Sequence, residues 1–151
     1  MKRIVLISDN HGNREILMRI DGMYPTADYY LHCGDSLMDA SDLRPFASVK
    51  GNCDREDFDF SKILEIEGHK IFMCHGHTYG NCDLKTLSNA AKQYGCDLVF
   101  FGHLHRFIDE ICDGVRLINP GSCSYNKDRS KPCFALVDVS EDIVNVKRID
   151  L

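Results

Sequence analysis

Seven side chains able to bind metal ions follow five separate apolar stretches of this sequence. They are Asp9 and His11, Asp35, Asn52, His75, and His103 and His105; His77 stands two residues beyond His75. Each group has a glycine beside it, at Gly12, Gly34, Gly51, Gly76 and Gly102. Imidazole nitrogen with carboxylate and amide oxygen suits manganese, iron, nickel, cobalt or zinc and needs no thiolate. Seven donors are too many for one ion and suit two that share a bridging carboxylate. Two ions roughly 3.5–4 Å apart form a clamp for hydrolytic phosphoryl chemistry, with a hydroxide held between them as nucleophile. Asp-x-His and His-x-His are expected to put both side chains on one side of an extended chain, where side chains alternate. The glycines are expected to let the backbone turn sharply and approach closely.

Elements that could bring these groups together are legible from hydrophobic periodicity. Lys2–Ser8 reads as a buried strand, and His11–Asp21 as a helix with apolar residues at 16, 17 and 20. Tyr29–Cys33 is a second strand, Ser36–Arg44 a short helix closed by Pro45, and Phe46–Lys50 a third strand. Lys62–Glu67 and Lys70–His75 flank Gly68-His69 as a hairpin. Cys82–Tyr94 is an amphipathic helix stopped by Gly95, and Leu98–Phe101 a buried strand. Phe107–Cys112 and Val115–Asn119 surround the turn Asp113-Gly114, and Phe134–Val139 with Ile143–Ile149 forms a last hairpin. The first half alternates strand and helix, and the second is mostly antiparallel. That pattern predicts one α/β domain over residues 1–151 with a mixed or paired sheet. The candidate ligands then sit beyond the carboxyl ends of strands, where open α/β sheets bind their ligands.

Composition narrows the function further. A net charge of −5 argues against gripping nucleic acid through its phosphates. It does not exclude an anionic substrate, because two dications beside Asp9 and Asp35 leave the site locally positive. No apolar run reaches membrane-span length, and only Ile4–Ile7 follow the basic start, so no membrane is expected and a cytoplasmic location is. The 8 cysteines contain no Cys-x-x-Cys pair, which predicts reduced, mostly buried thiols.

Ser8-Asp9-Asn10-His11-Gly12-Asn13, Gly34-Asp35, Gly51-Asn52, His75-Gly76-His77 and Gly102-His103-Leu104-His105 resemble, in order and approximate spacing, the calcineurin-like metallophosphoesterases. The short length and Gly51-Asn52-Cys53-Asp54 are similar to the small YfcE-type phosphodiesterase branch. The resemblance implies a four-layer α/β/β/α sandwich and a dinuclear site, with manganese the expected ion. The first ion would take Asp9, His11 and His105; the second Asn52, His75 and His103; Asp35 would bridge them. Asp35, Asn52 and His77 would be catalytic, and Asn13 and His77 would lie near the substrate phosphate. Cys53 stands where larger relatives carry a histidine proposed to protonate the leaving group. A thiol serves poorly there, so diesters with good leaving groups are the expected substrates.

The expected activity is therefore that of a metal-dependent phosphodiesterase acting on small-molecule phosphodiesters. A non-catalytic protein-binding scaffold of the same fold, a phosphomonoesterase and a nuclease are the alternatives; self-association stays open. Other residues have plainer expectations. His32 should be packed or hydrogen-bonded, and His69 solvated in its hairpin turn. Asn10 and Asn13 also suit turns. Cys53 and Cys74 should pack, and the turn at Cys123 should support the ligand loops. Asp54 should orient a metal-bound histidine, and Asp54–Asp59 should be a solvated face at the rim of the cleft.

Overall fold

A computed structural model describes residues 1–151. The chain runs β1 (Lys2–Ile7), α1 (Arg14–Met23), β2 (Tyr29–His32), β3 (Ala47–Ser48), β4 (Ser61–Ile66), β5 (His69–Cys74), α2 (Leu84–Gln93), β6 (Leu98–Phe100), β7 (Phe107–Cys112), β8 (Val115–Pro120), β9 (Cys133–Val139) and β10 (Val144–Asp150). Two five-stranded sheets form, in the orders β10-β9-β1-β2-β3 and β4-β5-β6-β8-β7. Both are mixed: β1, β2 and β3 are parallel and β9 joins β1 antiparallel, while β5, β6 and β8 are parallel with antiparallel β4 and β7 outside them.

The period of two along each strand explains four layers. Ile4 and Leu6 of β1 meet Ile71 and Met73 of β5 and Leu98 and Phe100 of β6 between the sheets. Their neighbours Val5 and Ile7 face outward under Leu17 and Ile20 of α1. Phe72 and Val99 face the other way, under Leu87 and Ala91 of α2. Strands buried on both faces thus read as unbroken apolar runs. The expected α/β/β/α sandwich is the observed one, and no helix is long and apolar enough to cross a membrane.

Departures from the sequence expectations cluster near the candidate ligands. The first helix begins at Arg14 rather than His11, because His11 and Gly12 have left-handed backbones and Asn13 caps the helix by accepting the Ile16 N–H. The helix expected over Ser36–Arg44 is a single 3₁₀ turn, Ala40–Leu43; left-handed Asp35 and Leu37 prevent an earlier start. The carboxyl-terminal half is mostly antiparallel, as expected, but β8 lies parallel to β6, and β9 leaves the second sheet to join β1.

His69 is not a solvated turn residue. Its Nδ1 lies 2.6 Å from Asp97 Oδ2 and its Nε2 2.9 Å from the Ser140 carbonyl. Both partners only accept, an arrangement that favours the protonated ring, in which both nitrogens donate. Burial opposes that charge, but Asp97 and Ser140 overcome it and raise the pKa above its ordinary value. Ser140 belongs to the β9–β10 turn, so this ring clasps the two sheets together. A raised folded pKa gives stability that is complete below the unfolded pKa and disappears as pH rises through the folded one. Denaturant titration should therefore show a larger gap between wild type and His69→Ala near about pH 5.5 than near about pH 8.5. Equal gaps would refute the clasp.

Candidate metal centre

All seven expected ligands lie beyond the carboxyl ends of β1, β2, β3, β5 and β6, on loops laid against one another. Asp9 N–H donates to the Gly34 carbonyl at 3.0 Å, His11 N–H to that of Asp35 at 3.1 Å, and Gly102 N–H to that of His75 at 3.0 Å. Gly34 has φ 103°, and a Cβ there would stand 2.7 Å from His75 Nδ1 and 2.9 Å from Gly51 N, so only glycine lets these loops meet. Ser122 and Ser124 hydroxyls donate to the Asp9 carbonyl at 2.7 and 2.8 Å, and Cys123 N–H donates to that of Ser8 at 3.2 Å. The Cys123 turn supports a ligand loop, as expected.

The backbone at the ligands is not extended. Asp9, His11, Asp35, His103 and His105 have φ values of 57°, 45°, 59°, 70° and 51°. A left-handed non-glycine residue costs roughly 1 kcal/mol or more. The alternation argument for Asp-x-His and His-x-His therefore fails, and it misplaces one pair: His103 and His105 point to different groups. Asp9, His11 and His105 converge in one set, and Asp35, His75 and His103 in another.

The two sets adjoin. Asp9 Oδ1 lies 3.3 Å from His105 Nε2, 3.6 Å from His11 Nε2 and 3.9 Å from His75 Nε2. Asp35 Oδ2 stands 3.3 Å from His75 Nε2 and 4.0 Å from His11 Nε2, between the sets. Asn52 Oδ1 is 3.0 Å from His75 Nε2 and 3.1 Å from His103 Nδ1. Asp9 Oδ2 accepts from Ser8 Oγ at 2.5 Å and His103 N–H at 3.1 Å, whereas buried Asp9 Oδ1 has no hydrogen-bond partner. An unpartnered buried carboxylate oxygen facing ring nitrogens is a cost that a cation removes. The donor set fits a pair of divalent ions.

Carbonyl acceptors decide which nitrogen of each ring is free. His75 Nδ1–H donates to the Cys33 carbonyl at 2.7 Å and His105 Nδ1–H to that of Tyr125 at 2.9 Å, leaving both Nε2 lone pairs for the site. His103 is reversed: its Nε2 meets Asn81 Oδ1 at 2.7 Å, so Nδ1 faces Asn52. Asn81 escaped the sequence reading; its one signal is an amide in a turn, here left-handed at φ 54°.

Asp54 touches no histidine and is not a solvated rim residue. It is buried; Oδ2 accepts Asp35 N–H at 2.8 Å and Gly51 N–H at 2.7 Å, and Oδ1 accepts Leu37 N–H at 3.1 Å. It ties the Asp35 loop to the Asn52 loop. Cys74 is buried as expected, but Cys53 is exposed rather than packed, its N–H donating to Asp35 Oδ1 at 2.8 Å. Asn13 spends its side-chain oxygen on the helix cap, and Asn10 Oδ1 pairs with buried His32 at 2.8 Å. His32 is hydrogen-bonded, as expected, and burial holds its pKa down to about 4. His77 stands beside the second set, ring centroids 5.3 Å from His75 and 6.1 Å from His103, its Nδ1 buried and unpartnered.

Acids and rings offset one another: Asp9 raises the His11 pKa, and against its burial Asp35 and Asp9 raise that of His75. Burial alone would raise the Asp9 pKa, but His105, His11, His75 and Ser8 hold it well below the carboxylate range. Asp35 is lowered for the same reason, chiefly by His75 against its own burial. Burial and the neighbouring His75 lower His77. Burial and Asp35 raise the Cys53 thiol.

If Asn81 selects the His103 tautomer, Asn81→Ala should weaken binding of one ion about 10- to 100-fold by titration calorimetry and leave the other nearly unchanged. Two unchanged constants would remove Asn81 from this role.

Residues 1–142 match the calcineurin-like phosphoesterase superfamily domain. The chain is 35% identical to the probable metallophosphoesterase YsnB of Bacillus subtilis, over 97% of this chain and 90% of that one. It is 38% identical to the phosphodiesterase MJ0936 of Methanocaldococcus jannaschii, over 80% and 84%. A crystal structure from Streptococcus pneumoniae, of a protein described as a predicted phosphoesterase, superposes with a TM-score of 0.90 at 25% identity, covering 99% of this chain and 89% of that one.

Proposed function

The chain belongs to the calcineurin-like phosphoesterase superfamily, and on that premise we propose that it is a two-ion phosphodiesterase for small phosphodiesters. One observation carries the reading: buried Asp9 Oδ1, without a hydrogen-bond partner, faces nitrogens of His11, His75 and His105. Asp9, His11 and His105 would hold one divalent ion, Asn52, His75 and His103 the other, and Asp35 both. Manganese is the proposed ion, with nickel, iron, cobalt and zinc suited to the same donors. Bound ions would supply Lewis-acid stabilisation of charge developing on the phosphoryl oxygens and make a nucleophile from water at neutral pH.

The chain's own residues do the rest. The carbonyls of Cys33 and Tyr125 and the amide of Asn81 keep three rings from turning away. His77, its pKa lowered, is neutral near pH 7 and offers one N–H to a phosphate oxygen or to the departing group. Cys53, its pKa raised, stays a thiol and is a poor proton donor, so alcohols that leave without protonation are favoured. The setting is cytoplasmic, where all eight free cysteines stay reduced. A protein-binding scaffold of this fold can lose its histidines, and this chain keeps His11, His75, His103 and His105.

With manganese or nickel added, the protein should hydrolyse bis-p-nitrophenyl phosphate. Asp35→Ala and His75→Ala should each lose about 100-fold or more in kcat/KM. Folded protein inert with every divalent ion, or variants with full activity, would contradict the proposal.

A further inference from the structure

We propose that the cleft between residues 35–39 and 51–56 is a subsite for an uncharged, ring-sized arm of the phosphodiester, aryl or nucleoside. The inference rests on the two-ion reading and names its substrate class. Leu37, Met38, Asp39, Cys53, Arg55 and Glu56 line a cavity of about 460 Å³. Small-molecule sites span roughly 300–1,000 Å³, so there is room here for an organic group.

The walls are the two loops that carry Asp35 and Asn52, so the cleft opens beside the donor cluster. Cys53 N lies 2.8 Å from Asp35 Oδ1, and Cys53 Sγ is 3.5 Å from Asn52 Nδ2. The cleft is preformed. Asp54 accepts the Asp35 and Leu37 N–H groups across it and the Gly51 N–H on its own side, and Glu56 Oε2 accepts Ala40 N–H at 3.2 Å. Preorganised walls hold a ligand without an ordering cost.

Leu37 points to the occupant. It is left-handed at φ 56° and 47% exposed, so the fold bears both backbone strain and a wetted apolar side chain. Strain of this kind concentrates at functional sites. A ring covering Leu37 accounts for the exposure; the Cys53 thiol and the accessible part of Met38, whose sulfur is held by Asn10 Nδ2 at 3.3 Å, add soft surface suited to an aromatic face. Asp39 and Glu56 outnumber Arg55 on the lining, which disfavours an arm bearing its own phosphate.

The test uses zinc-loaded protein carrying ¹³C-methyl methionine, with phenyl phosphate and methyl phosphate as probes. Phenyl phosphate should move the Met38 methyl resonance and bind about tenfold more tightly than methyl phosphate. Leu37→Asn, which tolerates the left-handed backbone and keeps the N–H bond to Asp54, should cut that ratio to about threefold or less. Equal affinities, or a Met38 signal unmoved at saturation, would overturn the subsite. Diester hydrolysis with an unmoved Met38 signal removes the subsite alone. A shifted Met38 signal without hydrolysis under any ion removes the two-ion reading and, with it, the assignment of the cleft to a diester arm, leaving only a ring-binding cleft.

Discussion

Lone pairs aimed at one small space repel one another, and side chains that can turn away will do so. Here four imidazole nitrogens, two carboxylate oxygens and one amide oxygen share such a space, and Asp9 Oδ1 is buried there without a partner. In a low-dielectric interior that arrangement is costly. Much of the local structure can be read as the means of keeping it assembled. Asp9 is fixed through its other oxygen by Ser8 and the His103 amide, and through its carbonyl by Ser122 and Ser124. Three rings are fixed by acceptors behind them.

The backbone carries the same burden. Five ligand residues adopt left-handed conformations that their side chains disfavour, and the surrounding sheets must over-determine them. The four-layer core does this. β1, β2, β5 and β6 are locked between two layers of side chains, so the loops leaving their carboxyl ends start from rigid positions. Glycine is kept where loops meet most closely, at Gly34 against His75 and at Gly51 against Asp35. Asp54 contributes no donor to the centre, yet its three backbone bonds set the distance between the Asp35 and Asn52 loops and brace the neighbouring cleft.

Strand-end placement of the candidate ligands was legible in the sequence because apolar runs ending in glycine and a polar residue are a recurrent pattern in α/β chains. The layers were legible for a similar reason: alternate residues of β1 and β5 are apolar on both faces. What escaped depends on contacts between distant segments. Alternation along an extended chain does not separate His103 from His105; the family resemblance does, and φ 70° and 51° are how the backbone achieves it. Asn81 reads as an ordinary turn residue until His103, 22 positions away, is placed against it. Asp54 looked like part of an acidic surface because its partners are backbone N–H groups, which sequence does not distinguish. His69 looked solvated because its acceptors, Asp97 between α2 and β6 and Ser140 in the β9–β10 turn, arrive from distant segments.

The central claim is that these residues hold two ions and not one. Anomalous diffraction from crystals grown with manganese tests it most directly. Two peaks are predicted, one against Asp9, His11 and His105 and one against Asn52, His75 and His103, with Asp35 touching both. A single peak among these residues, or none at saturating manganese, would contradict the account.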